Sequence, residues 1–147
     1  MTVTPQDFIR SAEKMLKSDL EIDYRNAASR AYQGAHHACR KLREDLDLAP
    51  LTNVPEQEGS HKKLIRALQQ AHLPATKNQQ WVKAIHIRQI GHMLNSARDL
   101  RYAADYGLDQ YFSKKKARQL IISSQIIVHQ VNQLLRTHSN TTQKPDE

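Results

Sequence analysis

The chain has 147 residues, a net charge of +7 with neutral histidines, 39% apolar residues and one cysteine. That size suits a single domain around one core, and so few glycines and prolines (four and five) favour long elements over a turn-rich β fold. The lone Cys39 excludes an internal disulfide and a Cys-based zinc site and fits a reducing, cytoplasmic setting. No apolar run approaches the roughly 20 residues of a membrane span, and the opening MTVTPQDFIRSAEK lacks the apolar core of a signal peptide.

Thr4-Pro5-Gln6-Asp7 predicts a helix start, with Thr4 as cap and Pro5 in the first turn. Phe8, Ala12, Met15 and Leu16 mark its buried side, and its end is expected between Lys17 and Leu20. Asp23 is expected to cap the second helix. The apolar stripe of that helix is Tyr24, Ala27, Ala28, Ala31, Ala35, Ala38, Leu42 and Leu46, and its alanines let neighbours approach closely. Pro50, Pro55 and Gly59 then break the chain, and the loop from Asp47 to Gly59 reads as a flexible surface segment. Ser60 is expected to cap a third helix bearing Leu64, Ile65 and Leu68, which HLPATKN ends.

The fourth helix is predicted from about Gln79 to Ala104, burying Trp81, Ile85, Ile90, Met93, Leu94, Ala97 and Leu100. Gly91 marks either a bend or a tight contact. After YGLDQYFS, Ser113 caps a last helix that turns Ala117, Leu120, Ile121, Ser124, Ile127, Val128, Val131 and Leu134 inward. QLIISSQIIVHQV is β-branched, but the pattern continues through Leu134 and Leu135, which favours a helix. From Thr137 the tail has no apolar face and is expected to be disordered. The expected fold is therefore an all-α bundle of four or five helices over residues 1–136, with a tail at 137–147.

The second helix carries unusual polar residues in YRNAASRAYQGAHHACRKL. At about 100° per residue, with Ala28 at zero, the apolar stripe centres near −40°. Arg30 falls at about 200° and His37 at about 180°, together on the face opposite the core, with Gln33 and Glu44 nearby. His36 falls at about 80°, on a flank. Two readings of Arg30 and His37 stand at this point. They are surface residues of a charged helix, or a small site in which arginine holds a phosphate and histidine moves protons. An open face of this kind needs a wall, which a second copy across a two-fold axis would supply.

No metal or cofactor is called for. His86 and His92 stand six apart, and His36 and His37 diverge by about 100°, both poor ligand spacings. SKKKARQ, with Lys114, Lys115, Lys116 and Arg118, is the strongest positive run and a candidate nucleic-acid contact, although a solvated helix start explains it as well. Tyr102 and Tyr106 read as packing and hydrogen-bonding residues, and His61 as a helix-start residue. Asp105 is a candidate to orient Arg30 or Arg101 through an ion pair. The sequence presents no aromatic-basic interleaving of the kind that marks a base-stacking platform.

DYRNAASRAYQGAHHACRKL resembles the second helix of HEPN domains (higher eukaryotes and prokaryotes nucleotide-binding), in particular their small stand-alone bacterial branch. Arg30 and His37 match the family arginine and histidine. GSHKKLIRAL resembles the Ser-His turn of the third helix, at Ser60 and His61, and ARDLRYAADYG resembles the Arg-x-x-Ala-Asp-Tyr segment, at Arg101, Ala104, Asp105 and Tyr106. The three motifs follow the family order over about residues 5–136. The sequence departs from the pattern at Gln33 and Gly34, and His36 stands at the usual Phe.

The resemblance implies an up-and-down helical bundle, a homodimer, and a metal-independent endoribonuclease whose two Arg-His motifs meet at the dimer cleft. Single-stranded RNA would be the substrate, cleaved by its own 2′-hydroxyl, and Gln33 would orient the phosphate or the second histidine, or be an ordinary solvated side chain. It also implies a toxin or defence role and a nucleotidyltransferase antitoxin as partner. The alternative it implies is a silent module that binds RNA, nucleotide or that partner.

Overall fold

The computed structural model describes residues 2–49, 58–73 and 78–142, without the side chains of 78, 79 and 140–142. The described residues form five helices in order: α1 (Pro5–Met15), α2 (Glu21–Asp45), α3 (Ser60–Gln69), α4 (Asn78–Tyr106) and α5 (Lys114–Thr142). No strand occurs among the described residues, so the all-α bundle read from the sequence is the fold. No helix among these residues is long and apolar enough to cross a membrane.

The helix ends follow local chemistry. Thr4 and Asp7 form a reciprocal capping box: the Thr4 hydroxyl accepts from the Asp7 N–H and the Asp7 carboxylate accepts from the Thr4 N–H. The helix stops at Met15, earlier than its apolar pattern suggested. α2 begins at Glu21 behind Leu20, so Asp23 is not its cap; it sits in the first turn and accepts from the Ser18 hydroxyl. Gly59 rather than Ser60 holds the cap position of α3. Ser113 caps α5 as expected, its hydroxyl accepting from the Lys116 N–H at 3.1 Å. α5 continues to Thr142, past the point where its apolar face ends, so residues 137–142 are helical rather than disordered; 143–147 lie outside the described residues. Most of the expected flexible loop, 50–57, also lies outside them, while Leu48 at its start is buried.

α2 is the central element and packs against all four other helices. Its stripe from Tyr24 to Leu42 is buried, with Tyr32, Gly34 and Cys39 added on either side. Gly34 is where α1 crosses: a Cβ there would stand 2.7 Å from the Pro5 carbonyl oxygen. Gly91 resolves to a tight contact with the end of α3, where a Cβ would stand 2.7 Å from the Gln69 backbone nitrogen and 2.9 Å from the Leu68 Cβ. Arg88 ties the same junction by donating to the Ala71 carbonyl at 2.9 Å. Gly91→Ala gains about 1 kcal/mol of helix propensity but forces α3 and α4 apart. The expected net result is a loss of about 1–2 kcal/mol, read as a lower urea midpoint at constant slope.

The fourth helix departs from expectation at its start. Ile90, Leu94 and Ala97 are buried, but Trp81 is 71% exposed and contributes nothing to the core.

Candidate functional site

α2 positions the residues singled out in the sequence. Arg30, Gln33 and His37 are all exposed, while the Ala27–Ala38 stripe on the other side is buried. Arg30 Nη1 donates to Gln33 Oε1 at 3.4 Å. The His37 ring leans on Phe8, centroids 5.2 Å apart, at the edge of a hollow of about 470 Å³ that Pro5, Arg40, Lys41 and Glu44 help to line. Glu44 faces Arg40 at 4.0 Å.

His36 has a different environment. It is half-buried, its Nε2 is sealed from solvent, and that atom has no hydrogen-bond partner. Its ring lies 4.1 Å from that of His61 and 6.1 Å from that of His37. His61 Nδ1 and the Tyr32 hydroxyl are hydrogen-bonded at 2.9 Å. His61, read from the sequence as a mere helix-start residue, thus belongs to a cluster with Tyr32 and His36. Burial raises the Tyr32 hydroxyl to about 12, and burial also pushes the Cys39 thiol up, so neither is a ready nucleophile.

Burial also lowers the His36 pKa to about 4, helped by the positive surroundings of His61, His37, Arg40 and Arg101. The unfolded chain then binds a proton before the folded chain does. Stability is full above about pH 6.5 and is lost as pH falls from there towards about 4. With solvent access to the half-buried ring taken into account, the loss is on the order of 2 kcal/mol. His36→Phe should remove most of it. Thermal melts at pH 7.5 and 4.5 check this: an equal acid loss in the variant would rule His36 out as the source.

Asp105 pairs with Arg101, not with Arg30. Its carboxylate lies 2.8 Å from Arg101 Nε, a distance that qualifies as an ion pair although the N–H direction misses hydrogen-bond geometry. It also accepts from the Ser29 hydroxyl at 3.3 Å. Tyr102 and Tyr106 pack on each other outside the core: they are 56% and 60% exposed, with ring centroids 4.7 Å apart. They border a cleft of about 430 Å³ with His61, Lys62, Arg98 and Arg101. Aromatic and basic groups therefore do interleave, contrary to the sequence reading. The i, i+4 spacing of Arg98, Tyr102 and Tyr106 on one helix was the available signal.

The Lys114–Arg118 run is not gathered with Arg30 and His37. Lys114 lies over the Tyr24 ring, 5.8 Å from its centroid. Tyr24 is buried on the core side of α2, six residues (about 9 Å) before the exposed Arg30 and thirteen (about 20 Å) before His37. Lys115, Lys116 and Arg118 are exposed. Among the described residues, no group of three or more His, Cys, Asp or Glu side chains is placed to hold a metal.

The fold and this face together define an all-α bundle with a solvent-facing Arg-His pair on its central helix. No family model, no curated protein and no solved structure matches the chain.

Proposed function

We propose that the protein is a metal-independent endoribonuclease of the HEPN type, acting on single-stranded RNA through Arg30 and His37 at a homodimer cleft. The observation that carries the reading is the shared exposure of Arg30 and His37 on α2, beside a His36 whose Nε2 is sealed. A proton-transfer histidine must reach its substrate, and a guanidinium must offer its fork to phosphate oxygens.

In this reading two copies of α2 face one another across a two-fold axis. One His37 takes the proton of the ribose 2′-hydroxyl, and the 2′-oxygen attacks the adjacent phosphorus. The bond from phosphorus to the 5′-oxygen breaks, and the other His37 protonates that oxygen. Arg30 offsets the charge that builds on the non-bridging oxygens, and Gln33, already bonded to Arg30, orients the guanidinium. The products are a 2′,3′-cyclic phosphate and a 5′-hydroxyl. Lys114, Lys115, Lys116 and Arg118 would meet the polyanion farther along. A toxin or defence role in the cytoplasm, with a nucleotidyltransferase antitoxin as partner, extends the same reading.

The test is incubation of the pure protein with a mixed single-stranded RNA pool in EDTA. Cleavage to cyclic-phosphate ends that disappears in Arg30→Ala and His37→Ala supports the enzyme. Binding without cleavage supports the silent module instead.

A further inference from the structure

The cleft between the start of α3 and the last turns of α4 is unusual in what it leaves uncommitted. Glu58, which lines the cleft, is engaged by Arg66 through two hydrogen bonds at 2.6 and 3.2 Å, and Lys62 also adds to the positive charge around it. Asp105 is engaged by Arg101. Both nearby carboxylates are thus occupied. Lys62 and Arg98 form no hydrogen bond or ion pair with any described residue, yet both line the cleft. Tyr102 and Tyr106 present largely exposed rings beside these two cations. The Arg101 guanidinium stands 6.0 Å from the Tyr106 ring centroid and 5.6 Å from that of Tyr32.

A ligand that complements this surface has a flat π face and a negative charge close together. Tyrosine faces stack any nucleobase, and guanidinium and ammonium groups without an ion-pair partner take phosphate oxygens. The cleft also neighbours the His37 side of α2: His61 lines it, the tilted His36 ring lies 4.1 Å from that of His61, and the His37 ring lies 6.1 Å from that of His36. That continuity suits a strand running across the surface better than a ligand enclosed at one point.

We infer that the cleft formed by Lys62, Arg98, Tyr102 and Tyr106 is a nucleotide subsite for single-stranded RNA, gripping a unit of the strand that flanks the scissile phosphate. This rests on the ribonuclease reading. The base stacks on the Tyr102–Tyr106 pair and the phosphate lies against Arg98 and Lys62. The subsite explains the exposure of two tyrosines that add nothing to the core, and it supplies affinity without taking part in the chemistry.

The test uses the full chain and a fluorescently labelled 2′-O-methyl RNA hexamer, which lacks the attacking hydroxyl and so cannot be cleaved. Binding is read by anisotropy at several salt concentrations. Tyr102→Ala with Tyr106→Ala is expected to weaken binding about 10-fold or more, whereas the double Tyr→Phe variant keeps it. Arg98→Ala is expected to weaken binding and to lower the salt slope by about one. The exposure of both rings makes unfolding of the variants a poor explanation, and circular dichroism checks it. If wild type binds and the alanine variants bind equally well, the subsite is overturned while the ribonuclease reading stands. If wild type fails to bind the hexamer, both fall. Displacement of the hexamer by micromolar adenosine 5′-monophosphate would also overturn the subsite, because it marks a site for free nucleotides.

Discussion

Replacing Arg25 with alanine is expected to destabilise the protein by about 3 kcal/mol, more than any surface change, because this guanidinium closes one end of the bundle. It is buried, at 7% exposure. From α2, Nη1 donates to the Ala103 and Ala104 carbonyls at 3.2 and 2.9 Å, and Nη2 to those of Gly107 and Gln110. Nε and Nη2 both reach Glu21 Oε1, which also accepts the Phe112 N–H at 2.8 Å. α4 has no basic residue in its own last turn, so Arg25 provides from another helix the cation that its terminal carbonyls favour. The same side chain fixes the connection into α5. The Phe112 N–H, followed by Arg25, holds the Glu21 carboxyl below its usual pKa.

Alanine leaves those carbonyls without their charged donor and opens a gap beside Phe112, whose ring centroid lies 5.7 Å from the guanidinium carbon. Against a typical stability of about 5–15 kcal/mol the loss is large, and it should lower the melting temperature by on the order of 10 °C. Arg25→Lys should recover only part of it, since one ammonium cannot replace a planar fork serving carbonyls in several directions. Urea unfolding of the three proteins checks the order. A lysine variant as stable as wild type would show that charge alone matters.

Arg25 also shows where sequence reading stops. It stands three residues before Ala28, about 60° round the helix on the flank of the core face, and charge at such a position reads as surface. Only the arrival of the α4 terminus buries it. The alanine stripe of α2 and the exposure of Arg30 and His37 were legible because both follow from helical periodicity alone. Trp81 was misread for the complementary reason: correct spacing buries a side chain only where another element reaches it, and periodicity does not say where neighbours stop. The Arg98, Tyr102, Tyr106 spacing was visible on one helix, but Lys62 and His61 come from α3, so the cleft exists only once the chain has folded.

Under the proposed ribonuclease function, cleavage of RNA should fall about 10²- to 10⁴-fold in His37→Ala, the range for removal of a positioned acid or base, and by a comparable factor in Arg30→Ala, which would lose charge stabilisation at phosphorus. Both side chains are exposed, so stability should stay within about 0.5 kcal/mol of wild type, and lost activity then reports on chemistry. The double variant should be little worse than either single one, because residues that act as a unit do not lose activity additively. His36→Phe provides the contrast. The His36 Nε2 is sealed within the cluster and its ring sits on the flank of α2 rather than on the exposed Arg30 face, and phenylalanine keeps the ring against His61. That variant should retain cleavage within a few-fold while most of the His36-linked acid loss is removed. Initial rates on a defined single-stranded substrate at pH 7.5, in EDTA, decide between the two adjacent histidines. Full activity in His37→Ala together with loss in His36→Phe would transfer the catalytic role to the buried cluster.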